Sequence, residues 1–472
     1  MKERLIIDMD ATAIANAIQN REIKSSEAVT AYINHISEEN PKINAMVENR
    51  FEKALEDAYE MDAMIERNEV KGPLHGVPIS IKESLHVTEM KTTAGLEHRQ
   101  DLISKEDAEV VTRLKNAGAI ILGKTNTPAL CFCQETENKL YGRTNNPWDV
   151  SRTAGGSSGG EGALLAVGGA AAGIGSDIGG SIRFPSHFNG VIGFKPGMNQ
   201  VSTIGHIPQV VHPLQERMMT IGPMGKSVQD MKLLYQILTG SSLDSKPLHR
   251  FRIEILPGST DYPLSQKTKE ILDQLEIFLG KTYSTKRAVP PYFKNSSLIW
   301  QEIMSIEGSK LIELEAYNND RSNVYTSFFK EKLTQRTKVH PYLSWAIMGS
   351  KMFRPSLKRV SEIEETLEQG DELLAAYLKN RLLIFPVYHS GALPHGQVFK
   401  EIFSIRKTFL NFMPYVAYAN VWGLPALTVP VGVDENNMPV SVQIMSATGN
   451  EDALFRIGRL LEKKFRGYIR ST

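Results

Sequence analysis

Residues 153–197 hold 14 of the chain's 36 glycines in 45 positions, and only four side chains there are Asp, Glu, Lys or Arg. The run opens Thr153-Ala154-Gly155-Gly156-Ser157-Ser158-Gly159-Gly160 and continues through Gly175-Ser176-Asp177-Ile178-Gly179-Gly180-Ser181-Ile182-Arg183. Glycine loses more conformational freedom on folding than any other residue, so such density calls for a place where backbone must come close to something. A phosphate-binding loop does not fit, because the Lys-Ser/Thr that completes it is missing. A dinucleotide fingerprint does not fit either, since no strand leads into a Gly-x-Gly-x-x-Gly spacing. An oxyanion hole fits best. Glycines let several N–H groups converge on one developing charge, and here serines stand among them.

Gly155-Gly156-Ser157-Ser158-Gly159 also satisfies Gly-x-Ser-x-Gly, the nucleophile elbow of α/β-hydrolase esterases with Ser157 as nucleophile. That alternative needs a strand directly before the serine, and Asn145 to Asp149 reads as a turn. It also needs a partner histidine. His187, His206, His212, His389 and His395 are available, none in a distinguishing context.

Around the glycine run the hydrophobic pattern is that of an α/β fold. A helix after Ser25, the expected N-cap, buries Val29, Ile33 and Ile36. Val77 to Ile81 reads as a strand, Val110, Val111 and Leu114 as the inner face of a helix closed by Gly118, and Ala119 to Leu122 as the next strand. Strand, helix, strand with short turns is a βαβ unit. Leu427 to Val431 and Val440 to Ile444 read as two further strands, followed by a helix with Ala453, Leu454, Ile457, Leu460 and Leu461 inward. Residues 241–400 differ, with 7 glycines in 160 positions and charge runs such as Glu362 to Glu368. They read as a helical insertion or lid rather than more sheet. The expected organisation is one domain over 1–472. It comprises N-terminal helices (1–70), a catalytic core (71–240), the insertion (241–400), and a last part of the core sheet with a final helix (401–472).

Composition narrows the function classes. With 54 basic against 53 acidic side chains in 472 residues, the formal net charge of +1 points to neither nucleic acid nor an anionic membrane. The first residues show neither a signal peptide nor a membrane anchor, so a cytoplasmic location is expected. Cys131 and Cys133 stand too close for an ordinary disulfide and lack the Cys or His cluster a zinc site needs. No metal or cofactor is expected.

Gly-Gly-Ser-Ser-Gly-Gly at 155–160 and Gly-Ser-Asp-Ile-Gly-Gly-Ser-Ile-Arg-Phe-Pro at 175–185 place two serines 24 residues apart. Upstream stands Gly72-Pro73-Leu74-His75-Gly76-Val77-Pro78-Ile79-Ser80-Ile81-Lys82-Glu83, and Gly142 to Trp148 and Gly190 to Pro196 supply further landmarks. Together these segments resemble the amidase signature family of serine hydrolases, over roughly residues 10–240 and 410–465. The resemblance implies a central mixed β-sheet flanked by helices on both faces. It implies Ser181 as nucleophile, Ser157 as the bridging serine after a cis Gly156–Ser157 peptide, and Lys82 as base. It maps the oxyanion hole to the N–H groups of Ile178, Gly179, Gly180 and Ser181. Asp177, Arg183 and Ser158 become scaffold. A small-molecule amide is the implied partner, with a homodimer left open.

A serine hydroxyl is a weak nucleophile, and a lysine can relay its proton away only if burial makes that lysine neutral. By the same resemblance, Cys131, Phe132, Cys133 and Gln134 line the acyl side of the cleft. Lys82-Glu83 departs from the commoner Lys-Asp. That pair, Phe184-Pro185 and Gly222-Pro223-Met224 look closest to the fatty-acid amide hydrolase branch. The glutamine-hydrolysing component of a tRNA-dependent amidotransferase is the other large branch and stays as an alternative.

Overall fold

Short apolar runs along the chain become eleven strands of one sheet, and the computed structural model describes them within residues 2–258, 262–318, 323–334, 337–403 and 410–471. In chain order they are β1 (Met46–Asn49), β2 (Pro78–Lys82), β3 (Ile120–Thr125), β4 (Ala172–Asp177), β5 (Ile192–Lys195) and β6 (Thr220–Gly225). There follow β7 (Arg252–Ile255), β8 (Thr285–Arg287), β9 (Arg381–Pro386), β10 (Ala426–Val433) and β11 (Pro439–Met445). Across the sheet the order is β1-β3-β2-β4-β6-β5-β10-β11-β9-β7-β8. β2 runs parallel to both neighbours, the pairs from β4 to β9 are antiparallel, and β9-β7-β8 is parallel again. The sheet is therefore mixed.

The βαβ unit is β2, the helix Glu109–Asn116 and β3, with Val110, Val111 and Leu114 buried. Its turn depends on Gly118, at φ +94°, where a Cβ would stand 2.7 Å from His75 Cα. Every residue of β2 and β4 is buried, as expected for strands covered on both faces. Helices Gly159–Ala166 and Arg183–Asn189 pack together on one side of the sheet, and Val228–Thr239 with Glu451–Lys464 on the other.

Two expectations need amending. The helix Ser25–Ile43 does begin at Ser25, but its cap position is Lys24. The free N–H groups of Ser25 and Ser26 are satisfied instead by the Asp62 carboxylate at 2.6 and 3.2 Å, a partner 37 residues away that local pattern does not reveal. Residues 241–400 are also not helix alone. They contribute β7, β8 and β9, which form one edge of the sheet. Leu382 to Phe385 are fully buried there, a four-residue apolar run that the charged sequence around it masks. The helices of this stretch include Ser296–Met304, Val324–Thr334 and Pro341–Met352. Val324, Leu343 and Ile347 join Ala94, Ala129 and Leu130 in a second, smaller core.

β5 and β6 approach so closely that position 222 admits only a hydrogen. A Cβ on Gly222 would sit 2.2 Å from the Phe194 carbonyl oxygen and 2.6 Å from Pro196 Cδ. Gly222→Ala is expected to destabilise the fold by about 1–3 kcal/mol, the range for overpacking. A lower midpoint in urea unfolding checks this; an unchanged midpoint would show that β5 can yield.

Candidate active site

β2 ends by delivering Lys82 into the interior, where it is fully buried. Its Nζ donates to Ser157 Oγ at 2.7 Å and to Ser176 Oγ at 2.9 Å. Ser157 stands in the turn before the helix Gly159–Ala166, and the Gly156–Ser157 peptide is cis. Gly156 is required by packing, since a Cβ would lie 2.6 Å from the Cys133 carbonyl oxygen. Ser181 follows β4 on the turn 178–182 and opens on the same cavity as Ser157. Ser158 N–H donates to the Ser181 carbonyl at 3.2 Å, joining the two serine turns.

The turn that carries Ser181 is built around one carboxylate. Asp177 accepts from the N–H groups of Gly180 (2.8 Å) and Ile182 (3.1 Å), and from Arg183 Nε and Nη2, both at 3.0 Å. Both partners of this ion pair are completely buried. Burial alone would raise the Asp177 carboxyl, but the Arg183 guanidinium outweighs it and holds it well below the usual carboxylate range. One expectation is corrected here. The Gly180 N–H belongs to Asp177, so it is not free for an oxyanion. The N–H groups of Ile178, Gly179 and Ser181 meet no acceptor among the described residues.

The electrostatics around Lys82 follow from burial. Desolvation lowers its pKa below the ordinary lysine value, against the opposing influence of Cys131, Asp177 and Glu161. Burial raises the Glu161 carboxyl to about 7, although Ser80 and Thr125 donate to it. For Cys131, burial would push the thiol up, but Lys82 and His206 together hold it down to about 5. Cys131 Sγ also lies 3.4 Å from Thr127 Oγ1.

The cavity holds about 290 Å³. Leu130, Cys131, Phe132, Cys133 and Gln134 line it together with Trp300, Met304, Trp345 and Phe353 from the 241–400 stretch. Trp300 Nε1 donates to the Ile178 carbonyl at 2.8 Å, and its ring would meet a Cβ on Gly179 at 2.7 Å. Gln134 is buried, with no partner for Oε1 among the described residues. Sequence reasoning did not single out Ser176 or Trp300, and named His206 only among the histidines open to the elbow alternative. Ser176 lies inside the Gly-Ser-Asp motif and could have been found there. Trp300 and His206 carry no local signal.

Ser157 has no histidine partner among the described residues. His187 bonds Ser390 and Ser441, His206 bonds Ser176, Ser84 and the Pro208 carbonyl, His212 caps the helix Pro213–Glu216, His389 pairs with Glu401, and His395 bonds Val150. The stretch before Ser157 is a small hairpin, Asn145–Asn146 with Asp149–Thr153, separate from the main sheet. Among the described residues no group of three His, Cys, Asp or Glu could hold a metal ion. No helix there is long and apolar enough to cross a membrane.

A family profile described as Amidase matches residues 27–455. Fatty-acid amide hydrolase 2 of Homo sapiens is 32% identical over 485 residues, covering 97% of this chain and 89% of that protein. The A subunit of glutamyl-tRNA(Gln) amidotransferase from Carboxydothermus hydrogenoformans is 30% identical over 495 residues, covering 96% of this chain and 97% of that protein. A crystal structure of an amidase superposes with a TM-score of 0.80 at 26% identity, covering 97% of this chain and all of that one.

A base works only when deprotonated, so if Lys82, its pKa lowered by burial, is the base, the rate rises with pH. The rise should level off below the ordinary lysine pKa of about 10.4. Cys131 favours the charged lysine. Cys131→Ala is therefore expected to move the alkaline limb of kcat/KM to lower pH. A limb that stays in place would show that thiol and lysine are not coupled.

Proposed function

This chain belongs to the amidase signature family and is an amidase, a hydrolase of carbon–nitrogen bonds in amides, and from that premise we propose that it works through an acyl-enzyme on Ser181. The observation that carries the reading is Lys82 Nζ, buried and 2.7 Å from Ser157 Oγ, in a cavity that Ser181 shares. Neutral Lys82 takes the Ser157 proton as Ser157 takes that of Ser181. Ser181 Oγ attacks the amide carbon, and the free N–H groups of Ile178, Gly179 and Ser181 receive the charge on its oxygen. Ser157 then returns a proton to the leaving amine. Water, deprotonated by the same relay, releases the acid and restores Ser181.

The cavity supports an apolar acyl group, alkyl or aryl, packed between the Leu130–Gln134 wall and Trp300, Met304 and Phe353. The glutamine-hydrolysing alternative has the 30% relative in its favour. The residues from Leu130 to Gln134, however, include no Asp, Glu, Lys or Arg to pair with a free amino acid's ammonium or carboxylate. Two free cysteines suit a reducing compartment, and the cytoplasm is the proposed location.

Mass spectrometry after treatment with a fluorophosphonate probe tests the nucleophile. The expected adduct is on Ser181, and Ser181→Ala should lower turnover by orders of magnitude without unfolding the protein. An adduct on Ser157 with Ser181 unmodified would overturn the assignment.

Specificity is tested separately on the wall. Cys131→Phe is expected to reduce kcat/KM for long or aryl acyl amides more than for acetamide-sized ones. At roughly 1 kcal/mol per lost methylene contact, the change in selectivity should reach tens-fold. An equal loss at every acyl length would remove Cys131 from the acyl pocket.

A further inference from the structure

Lys82 has a second hydroxyl neighbour, and a histidine holds that hydroxyl. Ser176 Oγ stands 2.9 Å from Lys82 Nζ and 3.0 Å from His206 Nε2. Ser84 Oγ approaches the same ring nitrogen at 3.2 Å. On its far side, His206 Nδ1 lies 3.1 Å from the Pro208 carbonyl oxygen. A carbonyl can only accept, so Nδ1 carries the ring hydrogen, and in neutral imidazole Nε2 presents a lone pair. The nearer hydroxyl, Ser176, donates its hydrogen into that lone pair. Its own oxygen is then left to accept from Lys82. His206 is 3% exposed and lines the cavity, so its ring is confined by packing as well as by the Pro208 bond.

This direction of bonding matters because neutral Lys82 has two hydrogens and a single lone pair. The relay needs that lone pair facing Ser157. A Ser176 hydroxyl free to rotate could turn its hydrogen onto Lys82 and occupy the lone pair, leaving a bonded but idle base. With the Ser176 hydrogen committed to His206, and Lys82 holding the Cys131 thiol below its ordinary pKa, Ser157 is the hydroxyl that has a proton to offer.

We infer that His206 is a positioning residue for the amidase reaction, keeping the Lys82 lone pair on Ser157 by holding the Ser176 proton. The inference rests on Lys82 as the base. It moves no proton of its own and changes no bond of the substrate. It assigns His206 a role that neither the glycine motifs nor the cavity wall suggests.

A two-by-two set of variants tests it, assayed with an acyl p-nitroanilide. His206→Leu is expected to lower kcat about ten- to hundredfold with KM unchanged, the scale of a misaligned reacting group. His206→Gln keeps an acceptor for Ser176 and a donor for Pro208, and should stay within about threefold of the parent. In a Ser176→Ala background no competing hydrogen exists, so adding His206→Leu should cost less than about threefold, the mark of two residues acting as one unit. Equal losses from His206→Leu in both backgrounds would overturn the inference, as would a Gln variant as slow as the Leu variant. Lys82→Ala in the same assay separates the two readings. If it keeps full activity, the base assignment falls. If it is inactive while the cycle shows no coupling, only the role of His206 falls.

Discussion

Asp177 and Arg183 form an ion pair from which all water is removed, and the rest of the site is arranged around keeping it satisfied. Desolvating two opposite charges is tolerable only when every remaining lone pair and hydrogen finds a partner. Here Arg183 Nη1 donates to the Val416 carbonyl and Gln443 Oε1, and Nη2 to Asn420 Oδ1. Asn420 Nδ2 in turn donates to Asp177. The network therefore joins the Ser181 turn to residues 416–443, which lie more than two hundred positions later in the chain. Its rigidity fixes where Ile178, Gly179 and Ser181 point their N–H groups, because Gly180 and Ile182 between and beside them are tied to the same carboxylate.

How much of this is legible in the sequence depends on whether the physics is local. The βαβ unit from β2 to β3 is written as alternating apolar runs and a glycine at the turn, and each of those signals acts within a few residues. Ser157 and Ser181 sit in glycine-dense segments where backbone approach leaves a compositional trace. Lys82 carries no such trace of its own and is legible only through its resemblance to a known motif. The strands β7 and β9 are hidden because β7 alternates charged and apolar residues and β9 is a short apolar run beside charged sequence, and their burial comes from distant pairing, β9 with β11 and β7 with β9. Gly180 escapes the motif for a related reason. A motif gives residue identity, whereas which N–H faces a carboxylate is decided by the turn's three-dimensional path.

Lys82 illustrates how neutral and charged forms are balanced in one interior. Burial favours the neutral amine, and the carboxylates and thiol around it favour the ammonium. Glu161 is buried near it with its own acidity weakened, so it favours the ammonium less than a fully ionised carboxylate would. A lysine can be made available as a base at moderate pH without being made inert, with the Ser157 and Ser176 hydroxyls and the Cys131 thiol as its immediate partners.

Trp300 touches both the turn that carries Ser181 and the cavity wall contributed by the 241–400 stretch. The helices around Val324, Leu343 and Ile347 pack on Ala94, Ala129 and Leu130 in a smaller core of their own. The strands of that stretch are thus part of the main sheet, while its helices around the small core belong to the part that shapes what enters. A lineage could lengthen, shorten or rebuild those helices and explore new substrates while the sheet stayed untouched. The indole at 300 is where that freedom stops, since any replacement there is felt at once by the backbone of the turn that carries Ser181.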